Sequence, residues 1–101
     1  MREQLEQILK AAGYRMVRPE ALAPGLIAII HTGLEYEPLA LGKTRKIHSF
    51  WIWTRVRVPD ELETKAEEIM NVLWQGFNEI SELRADFEGE MIQISIQIPE
   101  E

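Results

Sequence analysis

Two histidines, His31 and His48, are the side chains best suited to proton transfer or metal ligation at neutral pH. They lie far apart in the chain, with no HxxxH or HxH spacing. A zinc or non-haem iron site would need further ligands from carboxylates that show no recognisable spacing, so no metal site is expected. His31, beside Thr32-Gly33, reads as a strand-end or turn residue, and His48 as a hydrogen-bonded structural histidine. The chain has no cysteine, which removes thiolate chemistry, disulfides and zinc ribbons together. The hydroxyls that remain, on Ser49, Ser81, Ser95 and the threonines, have no recognisable base nearby in sequence. No P-loop, GxGxxG or GxSxG motif is present. Glu61, Glu63, Glu67 and Glu68 fall in the first turns of a helix, where they complement its dipole and solvate its outer face. These residues point away from an enzyme, and no catalytic residue or cofactor is expected.

Two groups are left that could meet a partner. Lys43, Arg45 and Lys46 are the one basic concentration, which Arg55 and Arg57 can extend. With no aromatic among Lys43–Lys46 to stack on bases, the run is a poor single-strand binder. It reads as a solvated loop with charged strand ends, or as a contact with nucleic acid or an acidic neighbour. Trp51 and Trp53 are the other group. Two tryptophans bury ~150–250 Å² each, and with Ile47 they make an apolar patch of several hundred Å² on one face of a strand, rimmed by Arg55 and Arg57. Either the first helix covers that patch or a partner subunit does, and the wet face of the last strand favours the partner.

The element that positions these groups runs from residue 47 to 81. Ile47–Val58 alternates with period two. His48, Phe50, Ile52, Thr54, Val56 and Val58 share one face, which reads as core; Ile47, Ser49, Trp51, Trp53, Arg55 and Arg57 share the other. At ~3.3 Å per residue the strand spans ~40 Å, so it bends or projects beyond its sheet. Asp60 is a good N-cap with Glu63 as capping-box partner. Leu62, Ala66, Ile69, Met70, Leu73, Phe77 and Ile80 then trace one helical stripe, with Trp74 bordering the core. Gly76 inside that helix implies a close approach by a neighbouring backbone.

The rest of the chain packs around this unit. Leu5, Ile8, Leu9 and Ala12 predict a helix over Arg2–Ala12, ended by Gly13 in the left-handed conformation. Tyr14–Pro24 is a connection. Leu26–Ile30 predicts a short strand covered on both faces, Thr32-Gly33 a turn, and Leu34–Glu37 a second strand. Leu39–Lys46 reads as a loop or the arm of a long hairpin. Leu83, Ala85 and Phe87, then Ile92, Ile94, Ile96 and Ile98, alternate with polar residues on either side of Glu88-Gly89-Glu90, predicting a closing hairpin with one wet face. The order is α-β-(β)-β-α-β-β: one α+β domain over residues 1–101, with two helices on one face of a largely antiparallel sheet.

The chain has 101 residues, 46% of them hydrophobic and 28% charged, the size and balance of a soluble domain with a single core. No apolar run approaches the ~20 residues of a membrane helix. The net charge is −6, from 17 acidic and 11 basic residues, which opposes free binding to nucleic acid.

A short first helix, an Ile-rich strand, a basic loop, a long aromatic strand, a capped helix and a closing strand fall at Arg2–Ala12, Leu26–Ile30, Leu39–Lys46, Ile47–Val58, Asp60–Ile80 and Met91–Ile98. In an acidic chain of this length, that pattern resembles the tail terminator and tail completion proteins of long-tailed phages. The resemblance implies a non-enzymatic homo-oligomer, typically a hexameric ring, that caps the tail tube, halts its growth and joins tail to head or neck. It implies neighbouring tail-tube or neck proteins as partners, reached through Lys43, Arg45 and Lys46. DNA would be passing cargo, sliding through an acidic lumen, and the protein would reside in the virion, and in the host cytoplasm during assembly. The competing expectation is a small ferredoxin-like module of the bacterial cytoplasm that homodimerises and binds a ligand or regulatory partner.

Overall fold

The structure, a computed structural model, describes residues 1–100. Helix α1 (Arg2–Ala11) buries Leu5 and Leu9 completely. It stops in a Schellman motif: Gly13 N–H donates to the Lys10 carbonyl and Tyr14 N–H to that of Leu9, with Gly13 at φ +96°. The expected connection then contains a short strand that the sequence does not announce. This is β1 (Arg15–Met16), which runs parallel to the start of β2 and pairs Arg15 with Leu26 and Met16 with Ile27.

Strand β2 (Leu26–Pro38) is continuous where the sequence suggested two strands and a turn. Pairing with the next strand steps from His31 opposite Phe50 to Gly33 opposite Ser49. Thr32 is thus the extra residue of a β-bulge, which bends the strand without ending it. Ala40–Gly42 forms a tight turn, and β3 (Thr44–Arg55) returns antiparallel to β2. The alternation predicted Ile47–Val58 for this strand. The hairpin pins its start at Thr44, so of the two expectations for Leu39–Lys46 the arm of a long hairpin holds, with Arg45 and Lys46 as strand residues. Its other neighbour ends at Met91, opposite Arg55, so the ladder closes with the Val56 N–H donating to the Glu90 carbonyl at 2.9 Å, and Arg57 and Val58 lie beyond it. Val56 still enters the core, whereas Val58 and Arg57 are exposed.

The turn Pro59–Glu61 leads into α2 (Leu62–Gly76). Glu61, not Asp60, occupies the N-cap position, and no side chain caps the helix. The predicted stripe continues to Ile80, but the helix stops at Gly76, and Phe77 is already extended. Phe77 and Ile80 pack on the core from a loop instead. A Cβ on Gly76 would lie 2.7 Å from Ile8 Cγ2, so the close neighbour is a side chain of α1 rather than a backbone. Trp74 is 64% exposed and does not border the core.

Strands β4 (Glu82–Glu88) and β5 (Met91–Pro99) close the domain as a hairpin with Gly89 at φ +60° in its turn. The sheet order is β1-β2-β3-β5-β4, antiparallel throughout except between β1 and β2. Leu5 and Leu9 of α1, with Ala66, Ile69 and Leu73 of α2, share one cluster with Ile27, Ile29, Phe50, Ile52 and the β5 isoleucines. Both helices therefore pack on one face of the sheet, and the domain is α+β. Thr54, the one buried polar side chain among the described residues of this layer, donates its hydroxyl to the Leu26 carbonyl at 2.9 Å. Among the described residues no helix is long and apolar enough to cross a membrane.

Candidate interaction surface

Because every strand alternates, the face away from the helices is fixed by register. From β2 it carries Ala28, Ile30, Glu35 and Glu37; from β3, Arg45, Ile47, Ser49, Trp51, Trp53 and Arg55; from β5, Gln93, Ser95 and Gln97; from β4, Glu82, Arg84, Asp86 and Glu88. Trp51 lies between Ile30 and Ser95, and Trp53 between Ala28 and Gln93. The two indoles stack with centroids 6.0 Å apart and planes 19° apart, and Trp53 Nε1 donates to Gln93 Oε1 at 3.1 Å. Trp51 is still 37% exposed. Helix α1, the one in-chain candidate to cover the pair, lies on the opposite side of the sheet.

The expected patch changes in two places. Ile47 shares this face but is only 8% exposed, flanked by Glu35 and Pro99, so it offers no contact surface. Arg57 lies beyond the strand. It lines a shallow depression with Arg55, Pro24, Gly25, Glu61 and Lys65, away from the tryptophan face. Beside Trp51 a second shallow groove is floored by Ser49, Ser95 and Gln97 and walled by Arg84; the Ser95 hydroxyl is buried there with no partner among the described residues. The face is thus apolar at Ala28, Ile30, Trp51 and Trp53 and polar over the arm of β2 and β3 and over β5 and β4.

The basic run is also rearranged. β2 and β3 continue past the end of β5 through the pairs Tyr36–Lys46, Glu37–Arg45 and Pro38–Thr44, making an arm that lengthens the molecule to 51 × 25 × 22 Å. Arg45 is not available to a partner in the way its sequence neighbours are. Its guanidinium holds Glu37 and Glu79, each at 2.7 Å, and these contacts, the Glu37 hydrogen bond first, raise its pKa further. Lys43 and Lys46 remain exposed. At the tip Leu41 is 97% exposed and sits at φ +60°, a conformation unfavourable for leucine. An exposed leucine held in this conformation at the end of an arm is a feature that alternation and charge patterns do not reveal. The signal available in sequence was Leu41 beside Gly42 in an otherwise basic turn.

The histidines come together on the helix side of the sheet. His31 stacks on Phe50 at 4.6 Å and lies 5.4 Å from His48. His31 is thus a mid-strand residue just before the bulge. His48 Nε2 meets Glu100 Oε2 at 3.2 Å, and this contact leads the causes that lower the Glu100 pKa. Among the described residues no group of three His, Asp or Glu side chains is placed to hold a metal ion.

Fold and surface together define a one-sided α+β domain with an open aromatic sheet face and a projecting hairpin arm. No protein-family model matches the chain, and no curated protein matches it.

Proposed function

We propose that the chain is a structural virion protein that assembles with copies of itself into a ring at the end of a phage tail tube, stopping tail growth and joining tail to head or neck. The observation that carries this reading is the stacked Trp51–Trp53 pair on a sheet face to which neither helix packs. A domain of this size rarely leaves such a pair to water unless something covers it. The arm supports the second half of the reading, since Leu41, Lys43 and Lys46 stand clear of the domain where a neighbouring tail-tube or neck protein can reach them. A net charge of −6 suits a ring through which DNA passes without being held. The ferredoxin-like alternative gains nothing from the topology, because it needs two split β-α-β units and the chain has one, β3-α2-β4 around β5.

Light scattering followed by negative-stain imaging tests the proposal. Wild-type protein should give particles with six-fold symmetry. The double variant Trp51→Ser/Trp53→Ser should be monomeric while keeping its circular dichroism spectrum and a cooperative melt. Compact dimers would favour a ligand-binding module. Unfolding of the double variant would make the tryptophans part of the core and remove the basis of the reading.

A further inference from the structure

The sheet has two free edges that match each other. Beyond Ile27, β2 has no backbone partner on the side away from β3 among the described residues, and β4 has none on the side away from β5. Alternating the antiparallel pairs across the sheet sets β2 and β5 in one direction and β3 and β4 in the other. A second copy placed in the same orientation therefore brings its β2 antiparallel to the first copy's β4, and the sheet continues without a break in polarity. The bulge at Thr32 limits the usable part of β2 to Gly33–Pro38, close in length to Glu82–Glu88.

The side chains agree with this geometry. Leu34, at the last part of the sheet that β5 reaches, and Tyr36, on the arm, point to the helix side and are 50% and 57% exposed. Phe87, on the helix side of β4, is 50% exposed. Docking β4 on β2 aligns Leu83, Ala85 and Phe87 with Leu34 and Tyr36 on one face. On the other face it brings Arg84, together with Glu82, Asp86 and Glu88, alongside Glu35 and Glu37, so the contact rests on the apolar face and the backbone. Two-fold pairing of β4 with itself would oppose Glu82 and Glu88 beside an Arg84–Asp86 pair, and β2 with itself would bring Glu35 and Glu37 together with no cation on that face of Gly33–Pro38.

We infer that copies of the chain join head to tail, β4 of one along Gly33–Pro38 of β2 of the next, giving a continuous antiparallel sheet. The inference rests on the self-assembly proposed above and specifies its contact. A heterologous contact of this kind closes into a ring when the rotation per step allows. The incoming β4 lies two strand spacings, roughly 10 Å, from Thr44–Ser49 of β3, and Trp51 and Trp53, opposite Ile30 and Ala28, lie farther along the strand and form a separate surface.

The absence of cysteine allows a direct test. Glu35→Cys and Arg84→Cys, both on the solvent face, are treated with a short thiol-to-thiol crosslinker at concentrations where the wild type associates. The double variant should give a ladder of covalent multimers, an equal mixture of the two single variants should stop at dimers, and each single variant alone should not crosslink. Dimers from either single variant alone would show two-fold edge pairing and overturn the inference. An oligomer by light scattering that yields no ladder would overturn the edge contact and leave the assembly reading standing. A wild-type chain that stays monomeric would overturn both.

Discussion

Tyr14 ties the end of α1 to α2. Its hydroxyl donates to Glu68 Oε1, and Lys65 lies 5.9 Å from the centre of the Tyr14 ring. Burial first, and then the Glu68 hydrogen bond, push the Tyr14 pKa above its ordinary value of 10.0. The same hydrogen bond leads the causes that lower Glu68 below 4.5. The two shifts have opposite consequences for stability. A raised tyrosine stabilises the fold below its unfolded pKa and loses that contribution as pH rises toward the folded value. A lowered carboxylate stabilises above its unfolded pKa and loses its contribution as pH falls through the folded value. Tyr14→Phe should therefore cost about 0.5–1.5 kcal/mol on a plateau between roughly pH 5 and 9, and the gap from wild type should narrow on both sides. Urea melts across that range measure it; a gap of zero would mean that the hydroxyl contributes nothing, and a constant non-zero gap that its contribution is not tied to the Glu68 charge.

The contact between α1 and α2 has its tightest point at Gly76, the last residue of α2, against Ile8. Alanine would normally favour a helix, but its Cβ would sit 2.7 Å from Ile8 Cγ2 and 3.0 Å from Cδ1. The branched Ile8 side chain has little rotamer freedom with which to retreat. Gly76→Ala should destabilise by about 1–3 kcal/mol, and in a double-mutant cycle Ile8→Ala should remove most of that cost. A stabilising Gly76→Ala would show that the helices slide apart freely. The Gly76 close approach could be anticipated from sequence, since a mid-pattern glycine asks for one; its partner could not, because the facing element is set only by tertiary packing. The other elements divide the same way. Alternation correctly set the faces of β3, β4 and β5, and with them the uncovered side of Trp51 and Trp53. Strand ends depend on whether a neighbour exists to pair with, so Val56–Val58 alternates like a strand and is none. Thr32-Gly33 looks like a turn, and only the partner strand running past it makes it a bulge. Phe77 and Ile80 keep helical spacing because a loop can bury the same side chains. Arg45 appears free in the chain, while Glu79, which holds it, lies beyond α2.

Across the whole molecule, a net charge of −6 on a particle 51 × 25 × 22 Å opposes bringing copies together. Repulsion is felt over ~30 Å at ~0.01 M salt but only ~8 Å at ~0.15 M. The surfaces proposed to meet are mostly apolar: Trp51 and Trp53 on the open face, Leu34, Tyr36 and Phe87 along the edges. Burial of such groups is not screened by simple salts. The attractive charges at these contacts are few, because Arg45 is held by Glu37 and Glu79, and Arg84 already meets Asp86 at 3.1 Å. Self-association should therefore strengthen, by several-fold in dissociation constant, as sodium chloride rises from ~0.01 to ~0.15 M. Light scattering across a dilution series at each salt concentration reads this directly. Association that weakens with salt would assign the contact to Arg84 or Arg55 meeting a neighbour's carboxylates, with the tryptophans as bystanders.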